Sequence, residues 1–146
     1  MATRLNRGDK FTDKYTDDRK VGKMQLKTKT QKILIVDNNQ QMLDCLSEMV
    51  DVLGREAIQA TDGLSALEKL EEDDYKLVVA DTKLPEMSGF ELLRYVRKYH
   101  PGVLVALIST TDTANTQRLI VRDAPDFYLP KPFTLADVEE LLGKLK

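Results

Sequence analysis

Short apolar runs that alternate with amphipathic stretches from Lys32 onward predict an α/β domain with a five-stranded parallel sheet and helices on both faces. Two further observations support that class. Most of the runs are continuously apolar, the pattern of strands covered on both sides. The segments between them carry apolar residues at steps of three and four, the spacing of one helix face. Strands are predicted at residues 33–36, 57–60, 77–80, 103–108 and 127–129, the second being the weakest. After the first strand, Met42, Leu43, Leu46, Met49, Val50 and Leu53 mark a helix, with Cys45 expected as a half-buried packing residue in step with Met42 and Met49. Leu64, Leu67 and Leu70 mark a shorter helix after the second strand. Phe90, Leu92, Leu93 and Val96 mark one that opens after Ser88-Gly89. Residues 112–121 form the least amphipathic segment, and a weakly anchored element beside a site is the part expected to move. Leu135, Val138, Leu141, Leu142 and Leu145 mark the last helix.

Composition narrows the chemistry. The 146 residues are 42% hydrophobic and 32% charged with a formal net charge of -2, which argues against a nucleic-acid footprint over the whole chain. One Cys excludes an internal disulfide and a cysteine zinc cluster, and one His excludes multi-histidine metal sites. The N-terminus lacks a signal-peptide core, and no apolar run approaches about 18 residues, so a cytoplasmic protein without a membrane span is expected. Charge divides the chain near residue 31. Residues 1–31 hold nine Lys/Arg and four Asp/Glu, while residues 32–146 hold thirteen and twenty. The first region has no periodicity and few apolar groups to offset its ordering entropy, so a flexible basic leader is expected at 1–31 and one domain at 32–146.

Ligands of open α/β sheets bind outside the carboxyl ends of the strands. The residues there are Asp37 after ILIV, Asp81 after LVVA, Ser109 after VALI, and Lys131 just beyond FYLP. Two neighbouring carboxylates repel unless a cation lies between them, and hard oxygen ligands suit Mg2+. An ammonium and a hydroxyl suit phosphoryl oxygens. Singly, each residue reads as a helix cap or a solvated side chain; together, on four strand ends of one sheet, they point to phosphoryl transfer. No GxGxxG or GxxxxGK[ST] pattern offers a competing phosphate cradle.

These residues resemble the receiver domain of bacterial response regulators over residues 32–146, on ILIVDNN, VVADTKLPEMSGFELL, VALIST and YLPKPF. The resemblance implies a flavodoxin-like (βα)5 fold with strand order 2-1-3-4-5, an order that the receiver family itself exemplifies. It implies that Asp81 is the phosphoacceptor, taking a phosphoryl group from a sensor histidine kinase or phosphotransfer protein. Asp37, Asp81 and the backbone carbonyl of Lys83 would be the protein share of a Mg2+ site. Lys131 would pair with Asp81 and then with the phosphoryl group. Ser109 would swing toward a phosphoryl oxygen, letting Tyr128 turn inward. A wet strand-end aromatic is the other reading of Tyr128. Lys131-Pro132 falls where the family has a cis peptide bond.

Some positions depart from the family pattern. Asn38 stands where a second acid is usual, which predicts weakened Mg2+ binding. Thr110 replaces a usual Ala beside the switch residue, narrowing the path to Asp81. Lys83 and Thr111 occupy positions that modulate phosphoryl lifetime, and Ala124-Pro125 replaces the usual Gly-Ala pair. The chain ends with its last amphipathic helix, so a stand-alone receiver is expected, not an enzyme. It would act through a downstream protein target on the 112–146 face, with no direct DNA binding and a homodimer left open. The alternative is a degenerate receiver that binds partners without phosphorylation. A haloacid-dehalogenase-type hydrolase would want an acid where Lys83 stands.

Overall fold

The computed structural model describes residues 30–110 and 113–146, so the leader expected at 1–31, but for its last two residues, and Thr111 lie outside the described residues. Within the compact unit Gln31–Lys146, strands and helices alternate strictly. They are β1 (Lys32–Val36), α1 (Gln40–Val52), β2 (Glu56–Ala60), α2 (Gly63–Glu72), β3 (Leu77–Asp81), α3 (Gly89–Tyr99), β4 (Leu104–Ser109), α4 (Ala114–Asp123), β5 (Phe127–Pro130) and α5 (Leu135–Gly143). All four strand pairings are parallel, in the order β2-β1-β3-β4-β5. The flavodoxin-like class and the strand order expected from the sequence are both present.

The apolar strands are continuous because each serves two cores. Leu34, Val36, Val78, Ala80, Val105 and Leu107 face one layer with Ala66 and Leu70 of α2 and Phe90, Leu93 and Val96 of α3. Their neighbours Ile33, Ile35, Leu77, Val79, Ala106 and Ile108 face the other, with α1 and α5 supplying Leu43, Leu46, Val50, Val138, Leu141 and Leu142. Each Leu or Ile so buried contributes about 1.5–3 kcal/mol over its exposed state, and together they hold the strand ends in fixed register.

Caps place the helix starts. Asn39, Asp62, Ser88, Thr113 and Thr134 are N-caps whose side chains accept a backbone N–H from the first turn. Ser88 with Glu91 and Thr134 with Asp137 complete capping boxes.

Three apolar side chains sit differently from the sequence expectation. Cys45 is exposed, because the buried stripe of α1 runs through Leu43, Leu46 and Val50 and leaves its neighbour turned outward. Leu64 is 54% and Leu135 43% exposed. In α2 the buried face is set instead by Gly63, Ala66 and Leu70, and a Cβ on Gly63 would stand 2.9 Å from the Met87 side chain. Among the described residues no helix is long and apolar enough to cross a membrane.

Candidate functional site

Register brings the predicted residues together. Val36 pairs with Ala80, so Asp37 and Asp81 leave adjacent strands at the same level. Ser109 pairs with Pro130 across β4 and β5, and the Lys131 N–H donates to the Ser109 carbonyl at 2.9 Å. From there the Lys131 ammonium donates to Asp81 Oδ2 at 2.7 Å and to Asp37 Oδ2 at 3.3 Å. The second oxygen of each carboxylate takes a loop amide two residues on: Asp37 Oδ1 accepts from the Asn39 N–H at 2.9 Å, and Asp81 Oδ1 from the Lys83 N–H at 2.8 Å. The two acids are thus fixed in orientation by their own backbone and share one cation.

The cluster is nearly dry. Side-chain exposure is 1% for Asp37, 13% for Asp81 and 11% for Lys131. Burial works against the Lys131 ammonium, but the hydrogen bond and charge of Asp81, followed by those of Asp37, outweigh it and hold the lysine above its ordinary range. The Lys131-Pro132 peptide is cis. Ser109 is buried beside this group at 3% exposure. Tyr128 is half-buried, in register with Leu107 and packed against the layer that includes Leu107 and Val105. Asn38, Lys83 and Thr110 are exposed at the rim, and Thr111 lies outside the described residues.

Two carboxylates facing one ammonium leave a net negative charge in a polar recess, a setting that attracts a hard cation. Among the described residues no three His, Cys, Asp or Glu side chains gather as a metal-binding group. A divalent ion here would therefore take the two carboxylates, backbone or amide oxygen and water. That donor set fits Mg2+, which keeps several waters and uses one or two carboxylates.

Sequence reasoning missed some supports of the site. Thr82 is buried at 4% and ties β3 to β4 and α3, its N–H donating to the Ile108 carbonyl and its carbonyl accepting from the Gly89 N–H. Gly89 is required by close approach: a Cβ there would stand 2.3 Å from the Asp81 carbonyl oxygen. Asn39 does double duty, capping α1 and donating its N–H to Asp37. An Asn three residues before Met42 was a readable cap signal.

The chain matches the family model of the response regulator receiver domain over residues 33–143. It is 33% identical over 120 residues to chemotaxis protein CheY-3 of Vibrio cholerae, covering 80% of this chain and 92% of that one. It is also 33% identical over 115 residues to the transcriptional regulatory protein CpxR homolog of Haemophilus influenzae, where 79% of this chain spans 48% of that protein, about half its length. Among solved structures, a response regulator receiver domain protein (CheY-like) from Methanospirillum hungatei superimposes with a TM-score of 0.74 at 28% identity, covering 80% of this chain and 93% of that one. With fold, strand-end residues and relatives in agreement, the chain belongs to the response regulator receiver domain family, a component of two-component signalling.

Proposed function

We propose that Asp81 accepts a phosphoryl group from a histidine of a sensor kinase or phosphotransfer protein. A carboxylate oxygen attacks phosphorus, the phosphorus–nitrogen bond breaks, and its electron pair leaves on the imidazole, giving an acyl phosphate at Asp81. The observation that carries the reading is the 2.7 Å bond from Lys131 to Asp81 Oδ2, with Asp37 on the same ammonium. Lys131 holds Asp81 in place before transfer and offers its charge to the phosphoryl oxygens afterward. Mg2+, when bound by Asp37, Asp81 and the Lys83 carbonyl, would neutralise charge on the transferring group. Ser109 supplies a hydroxyl from the neighbouring strand end, and Tyr128 carries the change to the face formed by α4, β5 and α5. The output is association with a protein target through that face, biased by phosphorylation. In this reading the protein is not an enzyme with an exogenous substrate but a phosphoacceptor that assists its own phosphotransfer and dephosphorylation.

A second reading, a degenerate receiver that binds partners without phosphorylation, is favoured by one feature: Asn38 leaves the site with two acids. Incubation with Mg2+ and acetyl phosphate, followed by intact mass spectrometry, separates the two. A single phosphoryl adduct in the wild type and none in Asp81→Asn is expected. No adduct at high magnesium would favour the degenerate module.

A further inference from the structure

The junction between α4 and β5 is built against local preference. Ala124 sits in the left-handed region with φ 45°, where a Cβ is disfavoured and glycine is usual. Pro125 follows, disfavouring right-handed helix at Ala124 and so ending α4 there. A turn of this kind persists when its surroundings fix it. The Arg97 guanidinium on α3 donates to the Asp123 carbonyl through one nitrogen and to the Ala124 carbonyl through the other. These carbonyls end α4 without helical partners, and the cation faces the negative end of the helix dipole. One turn earlier, Arg94 donates to the Asp123 carboxylate at 2.8 Å, and Arg122 grips the same carboxylate with two bonds of 2.9 Å. On the far side of the turn, the Asp126 carboxylate accepts the Val105 N–H of β4 at 2.8 Å.

Thr116 is the one buried residue of α4, Leu119 and Ile120 are half-buried against the core, and Val121 is 79% exposed. Its N-cap, Thr113, lies four residues after Ser109. The helix is therefore clamped from α3 at the end remote from the site, whereas at the end beside it the described anchors are local, the Thr113 cap and the buried Thr116. We propose that Arg97, seconded by Arg94, is a positioning residue that fixes the C-terminal end of α4, so that an event at Asp81 and Ser109 displaces the N-terminal turns of α4 and leaves the Ala124 turn in place. The inference rests on the function proposed above, and it gives the Ala124-Pro125 departure a physical role: the arginine fork supplies what glycine supplies elsewhere.

The test is amide hydrogen exchange on the full chain, with and without Mg2+ and acetyl phosphate, and intact mass on the same samples. In the wild type, phosphorylation changes exchange in residues 114–118 and leaves 119–124 as they were. In Arg97→Ala the adduct forms to the same extent, exchange in β1 and β3 is unchanged, and the phosphorylation-dependent change spreads into 119–124. Even without phosphodonor, 119–124 exchange about tenfold faster in that variant, the factor that loss of a charge-assisted hydrogen bond corresponds to. Arg97→Lys keeps the charge without the planar fork and falls between. Adding Ala124→Gly to Arg97→Ala restores confinement, because glycine holds the left-handed turn unaided. Equal changes across 114–124 in the wild type, or a wild-type profile in Arg97→Ala, would overturn the proposal. Failure of the functional reading shows separately, as an absent adduct in the wild type, and would remove the positioning role with it.

Discussion

Replacing Lys131 by Met removes the one charge that two carboxylates share while keeping an unbranched side chain of similar length. Removing one partner of a buried ion pair costs about 3–5 kcal/mol, because the other charge is left without compensation. The low end applies here. Asp37 is 1% exposed, but Asp81 at 13% and Lys131 at 11% keep some contact with water, and the bond to Asp37 is long at 3.3 Å. The expected loss is about 3 kcal/mol at pH 7 without divalent ions. With a urea slope of about 2 kcal/mol per molar, the unfolding midpoint falls by about 1.5 M.

The pH dependence has a definite sign. In the wild type the Lys131 ammonium is held above its ordinary value, so its contribution is complete below the ordinary lysine value and is lost only as pH rises through the raised one. Between about pH 5 and 7 it is constant. Mg2+ does the same service as the lost ammonium and stabilises the variant more than the wild type. Urea unfolding followed by circular dichroism at pH 7, with EDTA or Mg2+, measures the deficit and its relief. A midpoint within about 0.3 M of wild type without divalent ions, or a deficit that Mg2+ leaves unchanged, would refute the reasoning.

Asn38→Asp adds a carboxylate at an exposed position, where a unit charge pair at about 4 Å is worth about 1 kcal/mol in water and a divalent ion about twice that. Mg2+ affinity by calorimetric titration should rise about 30-fold, and equal affinities would count against the site assignment. Lys83→Ala should shorten the life of the phosphoryl group, on the hypothesis that this exposed lysine two residues from Asp81 pairs with a phosphoryl oxygen; an equal or longer lifetime removes that role. Gly89→Ala forces a Cβ to 2.3 Å from the Asp81 carbonyl oxygen, so it should cost about 2 kcal/mol in a melt and slow phosphorylation. An unchanged melting midpoint would show that the backbone relaxes without cost.

What could be read from the sequence follows from how each feature is encoded. Two-sided burial makes strands visible as apolar runs, and all five strands fall within one residue of their predicted limits. Asp37, Asp81 and Lys131 were legible because each directly follows such a run, and parallel register carries neighbouring strand ends to one level. The buried face of α2 was less legible. The leucine pattern pointed to Leu64, whereas the packed positions are Gly63, Ala66 and Leu70, Gly63 having Met87 against it where a Cβ would stand. The Arg97 fork left no sequence signal at all, since its acceptors are backbone carbonyls 26 and 27 residues away. The closeness of Gly89 to Asp81 is likewise a property of the folded loop and not of spacing.

The central claim is that Asp81 carries the phosphoryl group. Borohydride reduction of protein treated with Mg2+ and acetyl phosphate converts an aspartyl phosphate to homoserine, and peptide mass mapping locates the converted residue. Homoserine is expected at position 81 and nowhere else, dependent on phosphodonor and magnesium. Conversion at another acid, or none under conditions that saturate a magnesium site of two carboxylates, would contradict it.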